Sequence, residues 1–390
     1  MTVNRMILNE TSYFGKGAIK KFANEAKKRG FKKALVVTDK DLLKFEVATK
    51  VTAILDEAGL SYDIFDGIVP NPSIEDVKAG VKACQTAGAD YIVVIGGGSP
   101  IDTAKAIGII TTNPEFSDVI SLEGVADTKN PALPILAVPT TSGTAAEVTI
   151  NYVITDKANQ RKFVCVDPRD IPVAAFVDSD MMMGMPKGLC ASTGMDALTH
   201  AIEGYITKDA WEMTDMLHIK AIEIISHTLR DSVAGNQAAR EKMALGQYIA
   251  DMGFSNVGLG LVHGMAHPLS AWYNTPHGVA CATLLPLIMD FNKEYTGEKY
   301  RDIAVAMGVE GAYDMSLSEV RDAAVQAVKQ LGIDVGIPQK LTEIGMKEAD
   351  VSKVSEDALR DVCTPGNPRD ATVDEISALI DTVSNERILS

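Results

Sequence analysis

Residues 91–110 read YIVVIGGGSPIDTAKAIGII, and the order of features in them sets the architecture of the first half of the chain. Tyr91 to Ile95 is a β-branched apolar run without alternation, the pattern of a strand covered on both faces. Gly96, Gly97, Gly98 and Ser99 follow, and a run of helix-forming residues continues from there. A strand that passes through glycines into a helix leaves backbone N–H groups and the positive end of the helix dipole open to an anion such as a pyrophosphate. A tight turn with no ligand is the alternative reading. The run is not the GxGxxG fingerprint. The turn after the first apolar run reads TDKDLL at 38–43, so the phosphate loop is not on the first βα turn, as it is in the ordinary Rossmann arrangement.

Outward from this stretch the same rhythm repeats. Apolar runs at Ala34 to Thr38, Tyr62 to Phe65 and Ile135 to Val138 read as further strands, with amphipathic segments between the first three runs. One such segment spans about Asp41 to Ala58 and stops at Gly59; the next opens at Ser73, with Glu75 and Asp76 in its first turn. This is βαβ punctuation, and it predicts a parallel sheet covered by helices. TINYVIT at 149–155 and RKFVCV at 161–166 read as a hairpin around DKANQ, and VAAFV at 173–177 as one more strand. From about Pro186 the strand signal ceases and helical periodicity dominates. The expected organisation is an α/β domain over residues 1–183 and an all-helical domain over 184–390, in keeping with the two domains expected of 390 residues.

Composition narrows the function classes. The net charge of −15 repels phosphate backbones and anionic headgroups, which argues against nucleic acid and membrane partners. The start, MTVNRMILNE, has no long apolar core or small-residue cleavage site, and no stretch approaches a membrane span, so a cytoplasmic location is expected. Cys84, Cys165, Cys190, Cys281 and Cys363 lie far apart with no C-x-x-C pair and read as reduced, packed thiols.

All six histidines fall after residue 199. Asp196 and His200 stand at i and i+4, so on a helix they project from one face about a turn apart, a spacing that can chelate a cation. His263, His267 and His277 lie in GLVHGMAHPLSAWYNTPHG at 260–278, where Gly and Pro punctuation suits a helix end meeting a loop. A surface pair and satisfied core histidines are the bland readings of these residues taken singly. Together, one carboxylate and three imidazoles without a thiolate suit Fe(II), Zn or Mn and supply a Lewis acid for hydride chemistry or hydrolysis. His218 and His227 have no companions in their amphipathic helix and read as structural.

In the first half, Asp39 closes a strand and is either a ribose-binding acid that favours NAD over NADP or a cap for the next helix. The run from Pro139 through Thr144 offers hydroxyls at the same sheet edge, and Lys162 a local positive charge.

With these motifs in hand, the chain resembles the iron-containing (group III) alcohol dehydrogenases essentially end to end. The likeness runs through NRMILNET (4–11), VPNP (69–72), IGGGSPIDTAKAIG (95–108), PTTSGTAAEVTINYVIT (139–155), RKFVCVDP (161–168), TGMDALTHAIEGYIT (193–207), MGFSNVGLGLVHGMAHPL (252–269), YNTPHGVA (273–280) and DVCTPGNPR (361–369). The resemblance implies a dehydroquinate synthase-like fold, with an N-terminal dinucleotide domain, a C-terminal helical metal domain and the active site in the cleft. It implies Asp196, His200, His263 and His277 as ligands of Fe2+, or of Zn2+ as in some relatives, and His267 as a nearby non-ligand that helps proton exchange. It assigns Asp39, Asn71, Gly97, Gly98, Ser99, Asp102, Thr140, Thr141, Thr144, Val153 and Lys162 to NAD(H), and Asn151, Phe254 and Cys363 to the edge of the substrate pocket. A homodimer is implied as well. Ser142 stands where relatives often have Ala. The implied reaction is NAD(H)-linked interconversion of a small aldehyde and its alcohol, with lactaldehyde and propane-1,2-diol as the leading pair. Propane-1,3-diol, ethanol or butanol are the nearest alternatives within the family, a dehydroquinate-synthase-like lyase is more remote, and a dinucleotide sensor would leave the metal set unexplained.

Overall fold

The computed structural model describes residues 3–385. The chain divides into two compact units, Met1–Met185 and Pro186–Ser390. The first unit runs β1 (Thr11–Phe14), α1 (Phe22–Lys28), β2 (Lys33–Val37), α2 (Lys40–Lys44), α3 (Thr49–Ala58), β3 (Ser61–Phe65), α4 (Ile74–Ala87), β4 (Tyr91–Gly96), α5 (Gly98–Thr112), β5 (Ile135–Pro139), β6 (Asn151–Asp156), β7 (Arg161–Val166) and β8 (Ala174–Val177). Six of the strands form one parallel sheet in the order β1-β8-β5-β4-β2-β3.

The unalternating strand runs are explained by two cores. Tyr91, Val93 and Ile95 of β4 enter the layer of Phe22, Val51 and Leu55 from α1 and α3, whereas Ile92 and Val94 enter that of Ile101, Ala104 and Ile107 from α5. All five β4 side chains are buried, and each of the four aliphatic ones stabilises the fold by roughly 1.5–3 kcal/mol.

The strand order also creates a switch point. β2 leads to β3 on one side, while its other neighbour β4 leads to β5 in the opposite direction, so a crevice opens beyond the carboxyl ends of β2 and β4. Asp39 follows β2 and Gly97 follows β4, and Val37 and Val94 near those ends are register partners.

Ser73 and Asp76 form a reciprocal capping box at the start of α4, and Gly59 ends α3 in the left-handed region at φ 66°. β6 and β7 make the expected antiparallel hairpin, with Asp156 opposite Arg161. Two local expectations change. The helical segment from Asp41 to Ala58 is broken into α2 and α3 around Glu46, whose φ is 58°. β1, invisible to periodicity, is a short edge strand whose residues are only partly covered.

The second unit runs α6 (Lys187–Ile206), α7 (Glu212–Ala234), α8 (Gln237–Val257), α9 (Leu261–Tyr273), α10 (His277–Asn292), α11 (Lys299–Ala306), α12 (Leu317–Asp334), α13 (Val351–Arg360) and α14 (Val373–Asn385), with no strand among the described residues. Among those residues no helix is long and apolar enough to cross a membrane.

His218 of α7 is fully buried, and burial lowers its pKa to about 3, so it packs as a neutral ring. That packing depends on glycine in the two facing helices. A Cβ on Gly204 of α6 or Gly253 of α8 would stand 2.5 or 2.2 Å from His218 Nε2. Gly253→Ala is therefore expected to reduce stability by about 1–3 kcal/mol through overpacking, seen as a lower denaturant midpoint at unchanged slope.

Candidate metal centre and cofactor turn

Helices α6, α9 and α10 bring four of the second unit's six histidines together. Asp196 and His200 lie one turn apart on α6, and His263 and His267 one turn apart on α9. Asn274 then ends α9 in the left-handed region, Pro276 precedes α10, and His277 is that helix's first residue. Gly278 allows the first turn of α10 to lie against α6, since a Cβ there would be 2.6 Å from the Ser192 carbonyl oxygen and 3.3 Å from Asp196 Cβ.

Three imidazoles are oriented by carboxylates, those of Asp251 and Glu203 buried and that of Asp361 nearly so, which as acceptors require the Nδ1–H tautomer. His200 Nδ1–H donates to Asp251 Oδ1 at 2.9 Å, His263 Nδ1–H to Glu203 Oε2 at 2.6 Å, and His267 Nδ1–H to Asp361 Oδ2 at 2.8 Å. Glu203 does more than orient a ring. Its Oε1 accepts the Val262 backbone N–H at 2.7 Å, so one carboxylate of α6 also satisfies the N-terminus of α9. Each Nδ1 being engaged, the Nε2 lone pairs are left for a ligand.

The donor atoms of Asp196, His263, His277 and Cys281 all lie within 4.8 Å of one another. His200 stands beside this group, its ring centroid 4.9 Å from that of His263. Asp196 is 1% exposed and its Oδ1 has no hydrogen-bond partner; the nearest basic atom is His277 Nε2 at 3.9 Å. An unmatched buried carboxylate oxygen facing imidazole nitrogens is costly without a cation and natural with one, so the residues fit a divalent metal. Burial, opposed by the charges of Asp196 and Glu203, holds the His200 pKa below the usual imidazole range and favours the neutral form that ligates.

The other pocket residues assigned to this unit surround the same group. The Phe254 ring lies 4.4 Å from that of His200. Cys363 and His267 share a donor cluster with Asp361, whose Oδ1 accepts the Cys363 backbone N–H at 2.9 Å. Burial would raise the Asp361 pKa, but the neighbouring His267 and its hydrogen bonds outweigh that and hold it below the ordinary carboxylate value.

In the first unit, Gly97 caps α5 and Gly98 opens it, at the carboxyl end of β4. A Cβ on Gly97 would stand 3.0 Å from Thr141 Oγ1, and one on Gly98 3.0 Å from Thr144 Oγ1, so the loop after β5 lies directly against the glycine turn. The Thr140 N–H donates to the Gly96 carbonyl at 3.0 Å and fastens the two. This leaves the α5 N-terminus, with Ser99 in its first turn, beside a row of threonine hydroxyls, a cradle suited to phosphate oxygens.

Asp102 accepts the Val153 N–H at 3.0 Å, joining α5 to β6. Its pKa is raised to about 6 by burial, against the lowering effects of Lys105, the Val153 N–H and Lys162. Lys162 donates to Asn71 Oδ1 at 2.8 Å, and Asn71 takes φ 56°, a conformation asparagine tolerates. Asn151 begins β6, and its carbonyl accepts from the buried Lys105 Nζ at 2.9 Å. Asp39 is the N-cap of α2, accepting the Leu42 N–H at 2.8 Å through Oδ1. The capping alternative is therefore present, and a carboxylate retains acceptor sites beyond one cap bond.

Sequence reasoning missed Glu203, Asp251, Asp361 and Cys281. Glu203 follows His200 by three residues and Cys281 follows His277 by four, so helical spacing could have found both. Asp251 and Asp361 carry no local signal.

Comparison with known proteins agrees with this picture. The profile described as iron-containing alcohol dehydrogenase matches residues 9–179, and that of the C-terminal part of the Fe-containing alcohol dehydrogenase family matches 190–384. The chain is 63% identical to lactaldehyde reductase of Escherichia coli over 97% of its own length and 99% of that protein. Among solved structures, a 1,3-propanediol oxidoreductase superposes with a TM-score of 0.95 at 41% identity, covering 98% of this chain and 100% of that one. A sulfoacetaldehyde reductase from Bifidobacterium kashiwanohense in complex with NAD+ superposes at 0.86 with 26% identity, covering 99% and 100%.

Glu203→Gln keeps the shape of the side chain but removes the charge that orients His263. It is expected to weaken metal affinity by about 10- to 100-fold, measured by competition with a chromogenic chelator, with the helical content retained.

Proposed function

The chain belongs to the iron-containing alcohol dehydrogenases, and on that premise we propose that it catalyses the reversible NAD(H)-linked reduction of lactaldehyde to propane-1,2-diol. In the reducing direction one aldehyde, one NADH and one proton give one alcohol and one NAD+. The single observation that supports the metal half of this reading is the orphaned Asp196 Oδ1 buried among imidazole nitrogens. The 63% identity to a lactaldehyde reductase supports the substrate.

Asp196, His200, His263 and His277 would hold the cation. Bound NAD(H) supplies or accepts the hydride, and a bound divalent cation supplies Lewis acidity at the reacting oxygen. The protein's own residues do the rest. Asp251 and Glu203 fix two imidazoles in the tautomer that presents Nε2, so little reorganisation is needed on loading. His267 is outside the ligand set and is the proton carrier: its Nδ1–H rests on Asp361, which stabilises the imidazolium formed when Nε2 takes a proton and keeps the ring aimed when Nε2 returns it. Phe254 and Cys363 give the substrate an apolar border.

On the cofactor side, Gly97, Gly98 and Ser99 offer backbone donors to the pyrophosphate, with Thr140, Thr141 and Thr144 beside them. Two hydrogen-bonded pairs, Val153 with Asp102 and Lys162 with Asn71, add to the cofactor side, and Asp39 beyond β2 takes the ribose hydroxyls. We read the assembly as a homodimer and the location as cytoplasmic; five cysteines spread along the chain without a C-x-x-C pair support an internal, reducing setting.

Two outcomes test this reading. Metal-free protein reloaded anaerobically with Fe(II) should oxidise NADH with lactaldehyde, and a metal-free control should not. A methylene is worth only about 1–3 kcal/mol of discrimination, so the panel must include the aldehydes of propane-1,3-diol, ethanol and butanol. A higher kcat/KM for any of these would reassign the substrate, and no turnover on any carbonyl would reject the reaction class.

Asp39→Gly should narrow the preference for NAD(H) over NADP(H) by about tenfold, since the repulsion removed is on the order of 1.4 kcal/mol. Glycine remains an acceptable cap there, and an unchanged cofactor ratio would reject the ribose role.

A further inference from the structure

We propose that Cys281 is a sulfur ligand of the metal centre, a donor beyond Asp196, His200, His263 and His277. The inference rests on the metal reading above and extends it to a residue whose sequence context suggests only a packed thiol.

Cys281 lies one turn after His277 on α10, so both side chains share a face. It is fully buried, and its Sγ is 3.6 Å from His277 Nε2 and 3.8 Å from His263 Nε2. Two donors in a five-donor shell around one cation, with metal–nitrogen bonds of about 2.0–2.1 Å and metal–sulfur bonds of about 2.3 Å, stand about 3.1–3.9 Å apart for nitrogen–metal–sulfur angles of about 90–125°. The two separations thus have the spacing of coordination edges, and the Asp196 oxygen completes a group within 4.8 Å.

A packed thiol explains less. One S–H can be given to only one of the two Nε2 atoms, and it leaves Asp196 Oδ1, which is buried and unpartnered, unanswered. A cation among these atoms answers the sulfur, both nitrogens and the carboxylate together. On binding, a metal–sulfur bond forms and the thiol proton leaves to solvent, with no change of oxidation state. The thiolate and Asp196 together neutralise a divalent charge in a buried site, and a soft donor favours zinc, cobalt or ferrous iron over magnesium.

The experiment is an anaerobic Co(II) titration of the metal-free full chain, read by absorption rather than turnover, beside Cys281→Ser and Cys281→Ala. The wild-type protein should bind one equivalent and develop a near-ultraviolet sulfur-to-cobalt charge-transfer band. The serine variant, nearly isosteric, and the alanine variant should still bind cobalt through Asp196 and the histidines but without that band, and zinc affinity should fall by about tenfold or more. Cobalt bound to the wild type without the band overturns the inference and leaves the metal reading intact. A band persisting in both variants places the sulfur elsewhere, with Cys363 the nearest candidate, and also overturns it. Failure of the wild type to bind cobalt at all overturns the metal reading and this inference with it.

Discussion

Glu203 is a carboxylate held where water scarcely reaches, and the start of α9 is arranged to answer it. One of its oxygens takes the Val262 N–H, an orphan donor of the first turn of α9, and the other takes the Nδ1–H of His263. The helix dipole at that terminus favours the same charge. A single carboxylate on α6 therefore sets the position of α9 and the rotation of the imidazole that α9 contributes. Cavity-filling side chains could hold two helices together, but they would not select a ring nitrogen.

The same logic recurs around the centre with different partners. Asp251 reaches His200 from α8, and Asp361 reaches His267 from the segment after α13, so acids lie behind rings that would otherwise be free to flip. Asp196 is the exception, because its Oδ1 faces the nitrogens directly and has no proton donor of its own. A protein that buries several carboxylates close together must match each with a proton or a cation. Three are matched by N–H groups, and the remaining one, Asp196, is left for the cation that the proposed function places there.

In the α/β unit the decisive constraint is topological. Because β2 and β4 are neighbours whose chain continuations diverge, a crevice opens at their carboxyl ends without any special sequence there. The glycines then let two loops approach. Gly97 and Gly98 face Thr141 and Thr144 so closely that a methyl group would have to displace a threonine, and this shapes the cradle. The glycine turn after β4 and Asp39 after β2 thus lie at the carboxyl ends of neighbouring strands.

A good deal of this was legible in the residues themselves. The two-sided strands, the βαβ rhythm, the hairpin around residues 156–160 and the change to helix near Pro186 follow from short-range periodicity, which depends only on backbone repeat and burial. The i, i+4 pairing of Asp196 with His200 is legible for the same reason, as it would have been for Cys281 after His277. The break between α2 and α3 was not, because it turns on one left-handed residue, Glu46, whose identity does not demand it. Nor was β1, a four-residue edge strand with little to bury. Asp251 and Asp361 acquire meaning only when helices far apart in the chain are packed, since a carboxylate's role is set by which donor it faces. Local pattern thus decided the elements and offered the list of possible ligands. Long-range packing decided which nitrogen each ring presents, which acid stays unmatched and which thiol stands among the donors, because hydrogen-bond direction and desolvation exist only after the chain has closed.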